Sequence, residues 1–456
     1  MSETLLRPIA VTRRMSAEDA REIAIEAYHY LYPLVLMHMT RCVAINHPPG
    51  LKPGFGPEGR FYHVREYSTA GARLSFDTLP SFAWLDLSKG PYVISVPEGH
   101  DRSYSVAIYD MWSEVFASLG PHTTGPSGGN FAIVPPRWSG TLPPGVERVD
   151  SPTTNIWAIA RTQTNGPKDY APVHRFQDCY NITPLSQWTR PSQALSFKID
   201  PAVDIDTAPL AQVAAMTPET FFRYAASFLS TDEPHASDWS MVARLRRIGI
   251  ECHKPFHLKK APIAVQGALA LALEQGPRHM IQKASAIAPI ANGWQVNTET
   301  VGAYGNSYLK RAITAMFELG AVPPHDAVSL VNIVTSDGAM ASGKKRYVLH
   351  FEPKELPPVH AFWSITNYDQ DGFPARNAIN RTSIGDRDPL NYNSDGSLDI
   401  WIQKEWPSRD RQPNWLPAPE GAMTLVMRLY APCPEVLNGG WVPPVLQRVD
   451  DEEHRV

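Results

Sequence analysis

The apolar and polar positions change period several times along the chain. Ile23, Ala24, Ala27, Tyr28, Leu31, Val35 and Met39 recur at the spacing of one helix face. Ser16 with Asp19 forms a capping-box pattern that opens this helix, and Pro33 is expected to kink or break it. From about residue 50 to 182 the pattern shortens to apolar runs such as "YVISV", "YSVAIYD", "FAIVP" and "NIWAIAR", separated by Gly, Pro, Asp and Ser. Such runs predict an all-β sandwich or barrel. Helical periodicity returns between about 184 and 319. Thr217 with Pro218 is an N-cap with a first-turn proline ahead of "ETFFRYAASFL". "APIAVQGALALALEQ" is a second helix, expected to stop at Gly276 and Pro277, and "SYLKRAITAMFELG" a third, closed by Gly320. From Val328 to Val445 the short β runs resume.

These changes divide the chain into an N-terminal helical segment (1–49), a β-sandwich (50–183), a helical region (184–327) and a C-terminal β domain (328–456). The fold class is mixed and mainly β. The two β regions echo each other. "GPYVISVPEGHDRSYSVAIYDMW" and "KRYVLHFEPKELPPVHAFWSITNYDQDGF" both place Tyr-Val before an aliphatic residue. Ser105, Val106, Tyr109 and Asp110 then match Ser364, Ile365, Tyr368 and Asp369. Side chains alternate across a strand, so Trp363, Ile365 and Asn367 share one face and Phe362, Ser364, Thr366 and Tyr368 the other. The echo marks the Ser-aliphatic-x-x-Tyr-Asp frame as a strand-and-turn device. His360, Trp363, Thr366 and Asn367 remain specific to the second copy.

Composition narrows the picture. With 456 residues the chain exceeds one ordinary core, and 43% hydrophobic against 19% charged residues is a globular balance. The 43 prolines fit a chain rich in turns. A net charge of -4 without a long basic run argues against nucleic acid. Cys42, Cys179, Cys252 and Cys433 are scattered, which fits a reducing compartment. At the N-terminus Arg13 and Arg14 lead into acidic residues instead of an apolar core, so no secretory signal is read. "AYHYLYPLVLMHM" is too short for the roughly 20 residues of a bilayer span. The chain therefore reads as soluble and cytoplasmic.

The long motifs "DTLPSFAWLDLSKGPYVISVP" and "TTGPSGGNFAIVPPRWSGTLPPG" resemble domain of unknown function 1254. "RYVLHFEPKELPPVHAFWSITNYDQDGF", "NRTSIGDR" and "NWLPAPEGAMTLVMRLYAP" resemble domain of unknown function 1214. The resemblance is to bacterial proteins that join the two domains. It implies an immunoglobulin-like sandwich, a helical insert and a jelly-roll-like C-terminal sandwich, and it implies no activity. The chain departs from the usual pattern at Ser75 and Phe76, where an Asn neighbourhood is common, and at His122, where Arg is common.

The sequence has no nucleophile elbow, phosphate loop or HExxH. Cys252, His253 and His257 have Pro255 among them, so a surface loop is the simpler reading, and no metal or cofactor is expected. Asp77, ahead of the aromatic run to Trp84, is the best acidic candidate, although single Asp residues at strand ends are ordinary turn formers. His122 and His360 titrate near neutral pH, Tyr109 and Tyr368 can donate from a strand, and Arg137 and Arg381 can clamp an anion. Trp84, Trp112, Trp363 and Asn367 complete the candidate lining. The expected function is cofactor-independent acid/base chemistry, hydrolysis or elimination, on a largely apolar or aromatic small molecule in an interdomain cleft. Asp77 is the candidate base, His122 or Tyr368 the acid and Arg381 the anion clamp. The alternative is a non-catalytic small-molecule or carbohydrate binder using Trp401 or Trp406. Expected partners are a small-molecule ligand and further copies of the chain in a homo-oligomer, with neither nucleic acid nor membrane.

Overall fold

The computed structural model describes residues 15–67, 75–100, 102–189 and 197–449. Arg13 and Arg14 lie outside the described residues. Helices take 29% of the chain and strands 25%, so the helical layer is as large as the sheets. Its axis is α1 (Ala17–Ile45), opened by the Ser16/Asp19 capping box. Pro33 sits inside α1 without ending it. That proline forfeits one backbone donor, and burial of the helix on nearly all sides outweighs the loss. After α2 (Tyr170–Gln177), the helices α3 (Pro209–Ala214), α4 (Pro218–Thr231), α5 (Trp239–Arg247), α6 (Ile263–Lys283) and α7 (Tyr308–Glu318) complete the set, and all five contact α1. Gly276 and Pro277 do not stop α6, contrary to the sequence expectation. Gly276 lets α6 approach α1: a Cβ there would fall 2.2 Å from the Tyr28 ring.

The first sandwich is built from β1 (Tyr62–His63), β2 (Thr78–Asp86), β3 (Tyr92–Val96), β4 (Tyr104–Tyr109), β5 (Val115–Leu119), β6 (Gly129–Val134), β7 (Glu147–Asp150), β8 (Asn155–Gln163) and β9 (Asn181–Pro184). The second has β10 (Ile290–Ala291), β11 (Trp294–Val296), β12 (Ala327–Asn332), β13 (Arg346–Phe351), β14 (Val359–Asp369), β15 (Ser383–Gly385), β16 (Leu398–Gln403), β17 (Trp415–Pro417), β18 (Met423–Pro432) and β19 (Gln447–Val449). Alternate residues of facing strands close each core. In the first sandwich Val106 and Ile108 meet Ile94, Phe131 and Ile133. In the second, Trp363 and Ile365 meet Phe351, Leu349 and Ile400.

The two sandwiches share one topology. The first has sheets β1-β2-β8-β4-β5 and β7-β6-β3-β9, and the second β10-β11-β12-β18-β14-β15 and β17-β16-β13-β19. Apart from the extra edge strand β10, each strand of one has its counterpart ten labels on in the other. The parallel pair β6/β7 recurs as β16/β17 among otherwise antiparallel ladders. Registers agree residue by residue. Ser105 pairs with Arg161 as Ser364 pairs with Arg428. Pro80 pairs with Arg161 as Ser329 pairs with Arg428, which makes Asp77 the counterpart of Asp326, three residues earlier in each strand. The turn closing the echo motif is also repeated. Asp110 accepts from the backbone N–H of Trp112 and Glu114, and Asp369 accepts from those of Asp371 and Phe373.

The outer faces of the central sheets differ in what covers them. Trp84, Tyr109, Trp157 and Ile159 of the first sandwich pack against the helices. Tyr368 and Val426 of the second pack against Phe76 and Tyr67, which belong to the first sandwich's side of the seam. Among the described residues no helix is long and apolar enough to cross a membrane.

Candidate functional site

Polar side chains from both sandwiches meet at this seam, at the starts of β2 and β12. Asp77 precedes β2 and is fully buried. Its Oδ2 accepts from Ser364 Oγ at 2.6 Å, Tyr430 OH at 3.1 Å and Ser75 Oγ at 3.3 Å. Its Oδ1 takes Arg387 Nη2. Arg387 also donates to Thr164 O and Asn165 Oδ1, and its guanidinium lies 4.1 Å from the centre of the Phe362 ring. A buried carboxylate so surrounded by donors is fully satisfied and held in place.

Asp326, the counterpart before β12, is likewise buried. Its Oδ1 lies 2.6 Å from His122 Nε2, and its Oδ2 accepts from Ser118 Oγ at 2.7 Å. His122 holds the place of Arg387 by register. Gly385 lies opposite Ser364, and extending the β4/β5 ladder by one residue puts Gly120 opposite Ser105. Two residues beyond each glycine come Arg387 and His122. Each sandwich therefore sends an Asp across the seam to a cationic or basic residue just past the edge strand of the other.

A small cavity of about 30 Å³, room for roughly two waters, lies beside the His122–Asp326 pair. Ser105, His122, Arg161 and Asp326 supply polar groups to its wall. Tyr104, Phe362, Tyr430, Val322 and Ala431 supply aromatic and aliphatic ones. Arg161 Nη2 donates to Gly320 O at 2.6 Å, and Nη1 lies 3.4 Å from the Tyr109 hydroxyl. Burial and the neighbouring Asp77 carboxylate push the Tyr430 pKa far above the usual tyrosine value, so its hydroxyl stays a donor. A larger cleft of about 780 Å³ lies on the Arg387 side, walled by Tyr67, Phe76, Tyr170, Asn380 and Arg381.

The sequence candidates divide accordingly. Asp77 and His122 reach the seam, on opposite sides of it. Tyr109 stands behind Arg161, its hydroxyl donating to Gly320 O at 2.7 Å. Tyr368 is fully buried beneath Arg428 and does not line the cavity. Trp84 stacks on Trp157, and Trp112 is buried with Nε1 donating to Glu233 O. Arg137 is exposed and pairs with Glu233. His360 is exposed with its Nε2 3.7 Å from Cys433 Sγ. Trp363 packs on Phe351 inside the second sandwich, where Asn367 Nδ2 donates to Pro417 O. Arg381 Nη1 is held by the carbonyls of Gln412, Pro413 and Trp415, so it braces a loop. Of the "CHKPFH" residues, His253 faces Glu233 at 3.5 Å. Among the described residues no three His, Cys, Asp or Glu groups converge as a metal site. Sequence reasoning missed Asp326, Arg161, Arg387 and Tyr430. The signal for Arg387 lay in the continued echo, "SLGPH" (118–122) against "SIGDR" (383–387), which aligns it with His122.

Comparison with known proteins agrees with this architecture. Residues 59–184 match the family model "Protein of unknown function (DUF1254)", and residues 326–434 match "Protein of unknown function (DUF1214)". The crystal structure of the VPA0106 protein from Vibrio parahaemolyticus is 23% identical, covers 94% of this chain and 100% of its own, and superposes with a TM-score of 0.71. That likeness shows the fold alone. An uncharacterised Burkholderia cenocepacia protein is 11% identical over 95% of this chain and 94% of its own, with a TM-score of 0.44. No curated protein matches the chain. With its two domains in that order, the chain belongs to the family of proteins that join domain of unknown function 1254 to domain of unknown function 1214.

Proposed function

We propose that the protein is a cofactor-independent acid/base enzyme whose working pair is His122 and Asp326, acting on a largely apolar or aromatic small molecule at the sandwich seam. The observation that carries this reading is the His122 Nε2–Asp326 Oδ1 contact of 2.6 Å on the wall of an enclosed, mainly apolar cavity. Ser118 fixes the carboxylate from its other oxygen, so Asp326 can orient the imidazole and balance its charge when it takes a proton. The space beside His122 is water-sized, which favours hydrolysis over elimination: His122 takes the proton of a water as that water attacks. Arg161 then faces the negative charge that develops on the substrate oxygen. Asp77, saturated by Arg387, Ser364, Ser75 and Tyr430, serves as a brace instead of a base.

The test is a panel of small alkyl and aryl esters and amides incubated with the whole chain. Turnover by the wild type should fall at least about a hundredfold in His122→Asn and in Asp326→Asn, the scale of a lost general base. Undiminished turnover in both variants would falsify the scheme. A second reading, a non-catalytic binder of a small molecule or carbohydrate, draws support from the larger cleft, where Tyr67, Phe76 and Tyr170 could stack on a ligand beside Asn380 and Arg387. Saturable binding there without product over long incubation would favour it. The exposed-Trp variant of that reading is weaker, because Trp401 is covered by the Arg411 guanidinium at 3.8 Å.

A further inference from the structure

We infer that the cavity beside His122 is a carboxylate subsite, with Arg161 as its anchor, so that the substrate class is one that carries or releases a small carboxylate. The inference rests on the acid/base reading for its link to turnover, but its binding half stands on separate observations. Arg161 projects from β8 into the seam and spends its bonds on the Gly320 carbonyl and the Tyr109 hydroxyl. Among the described residues no carboxylate lies within ion-pair distance of it, although the charge of Asp326 acts on it across the cavity, whereas Arg387 across the seam is paired with Asp77. The Asp326 carboxylate borders the same cavity, but its Oδ1 is already engaged by His122, with His325 Nε2 at 3.4 Å, and its Oδ2 by Ser118. A half-buried guanidinium in low dielectric is costly unless an anion faces it.

The remaining wall suits a carboxylate. Ser105 offers a hydroxyl donor beside Arg161, and Phe362 and Val322 offer apolar surface to the carbon attached to the carboxyl group. The guanidinium fork is shaped to meet two carboxylate oxygens. As it stands the space accepts an anion of formate to acetate size, and a longer substrate must displace apolar wall residues. If the anion is a product, hydrolysis makes it: the attacking water forms a new C–O bond to the acyl carbon, the bond to the leaving alcohol or amine breaks, His122 passes one of the water's protons to that leaving group, and the acid formed gives up the other to solvent to leave the carboxylate. If it is already part of the substrate, Arg161 holds it through the reaction.

The experiment is a calorimetric titration of the whole chain with sodium acetate, and then with propionate and benzoate, against sodium chloride at matched ionic strength. Saturable acetate binding is expected in the wild type and in the surface control Arg137→Gln, with at least tenfold weaker binding in Arg161→Gln. Absence of saturable binding by any of the three carboxylates in the wild type, or binding by Arg161→Gln within twofold of wild type, overturns the proposal. Should Arg161→Gln fail to fold, protection of Arg161 from phenylglyoxal by acetate in the wild type decides the matter, unaltered labelling counting against it. Carboxylate binding without ester turnover leaves the subsite standing and removes the enzyme reading. Turnover without carboxylate binding does the reverse. Inhibition by acetate that competes with an uncharged ester identifies the anion as product-like, and failure to compete assigns it to the substrate's own carboxylate.

Discussion

The two sandwiches are the same structure put to different use at the same place. Strand for strand and register for register, Asp77 answers to Asp326, Ser364 to Ser105, Arg428 to Arg161 and Arg387 to His122. What differs is the partner of the buried carboxylate. Arg387 is itself pinned by Thr164 and Asn165, so the Asp77 cluster is a fixed clasp between the sandwiches. His122 is an imidazole, the side-chain type suited to proton exchange, and the small cavity adjoins it. One seam thus holds two versions of a single arrangement, one with a guanidinium and one with an imidazole facing the buried Asp. The proposed function puts chemistry on the imidazole version alone.

The sharpest break of this comparison is on the clasp side. Asp77→Asn removes the carboxylate that pairs directly with Arg387 and leaves a largely buried guanidinium without it. Stability should fall by about 3 kcal/mol, the lower end for breaking a buried pair because Arg387 keeps some contact with solvent. Asp326→Asn should cost about 1 kcal/mol, since a neutral imidazole can keep a hydrogen bond to the amide. Urea unfolding of the two variants measures the difference, and equal losses would sink the division into clasp and reactive pair. The complementary change is His122→Arg, which copies the Asp77–Arg387 pair into the second position. It should keep stability within about 1 kcal/mol of wild type while abolishing turnover. Retained turnover in that variant would show that a proton-exchanging side chain is not required there.

How much of this was legible in the chain follows from the range of each interaction. The strands and helices come from local periodicity, and the Asp110 and Asp369 turns from residues within four positions of each other, so both could be read directly. Gly276 and Pro277 do not end their helix and Pro33 does not break its own, because a helix buried against several neighbours tolerates a lost backbone bond that an isolated helix would not. The seam was harder. Asp77 and Arg387 are 310 residues apart, and Ser118 and Asp326 are 208 apart. No periodicity carries contacts of that kind. Arg381 and Arg387 stand in the same quoted motif, and only the tertiary fold decides which braces a loop and which meets Asp77. The internal echo was the one route to the seam, since following it past Tyr109 and Tyr368 aligns His122 with Arg387.

A smaller effect separates the two repeated turns. Asp110 is recruited by His235 from the helical region, with Nε2 2.5 Å from its Oδ2, whereas among the described residues the Asp369 carboxylate accepts from backbone N–H groups of its own turn. Burial alone would lower the His235 pKa, but the hydrogen bond and charge of Asp110 outweigh it and raise it above the ordinary 6.5. A histidine pKa raised in the folded state adds stability that is fully present below the unfolded value near 6.5 and is lost as pH rises through the folded value. Wild-type stability should therefore decline from about pH 6.5 upward by an amount that His235→Gln removes. Urea midpoints across pH 5.5 to 9 for the two proteins provide the check, a parallel pair of curves being the adverse result.

The smallest difference lies on the inter-strand pair of the outer sheets. Ser95 donates to Asn130 Oδ1 at 2.8 Å between β3 and β6. At the equivalent register His350 Nδ1 meets Asp399 Oδ1 at 2.6 Å between β13 and β16. The Asp399 hydrogen bond raises the His350 pKa, yet the imidazole is over a third exposed, so solvent screening leaves little of that attraction as stability. Copying the first sandwich's pair into the second, as His350→Ser with Asp399→Asn, should change stability by no more than about 0.5 kcal/mol. Two neighbours are touched by the change: Asn393 Nδ2 donates to Asp399 Oδ2 at 3.0 Å, a bond an amide oxygen can still accept, and the exposed Glu352 lies 3.5 Å from His350 Nε2. A loss above about 1.5 kcal/mol in urea unfolding would mean that this charged pair, and not the shared ladder beneath it, sets the stability of the second outer sheet.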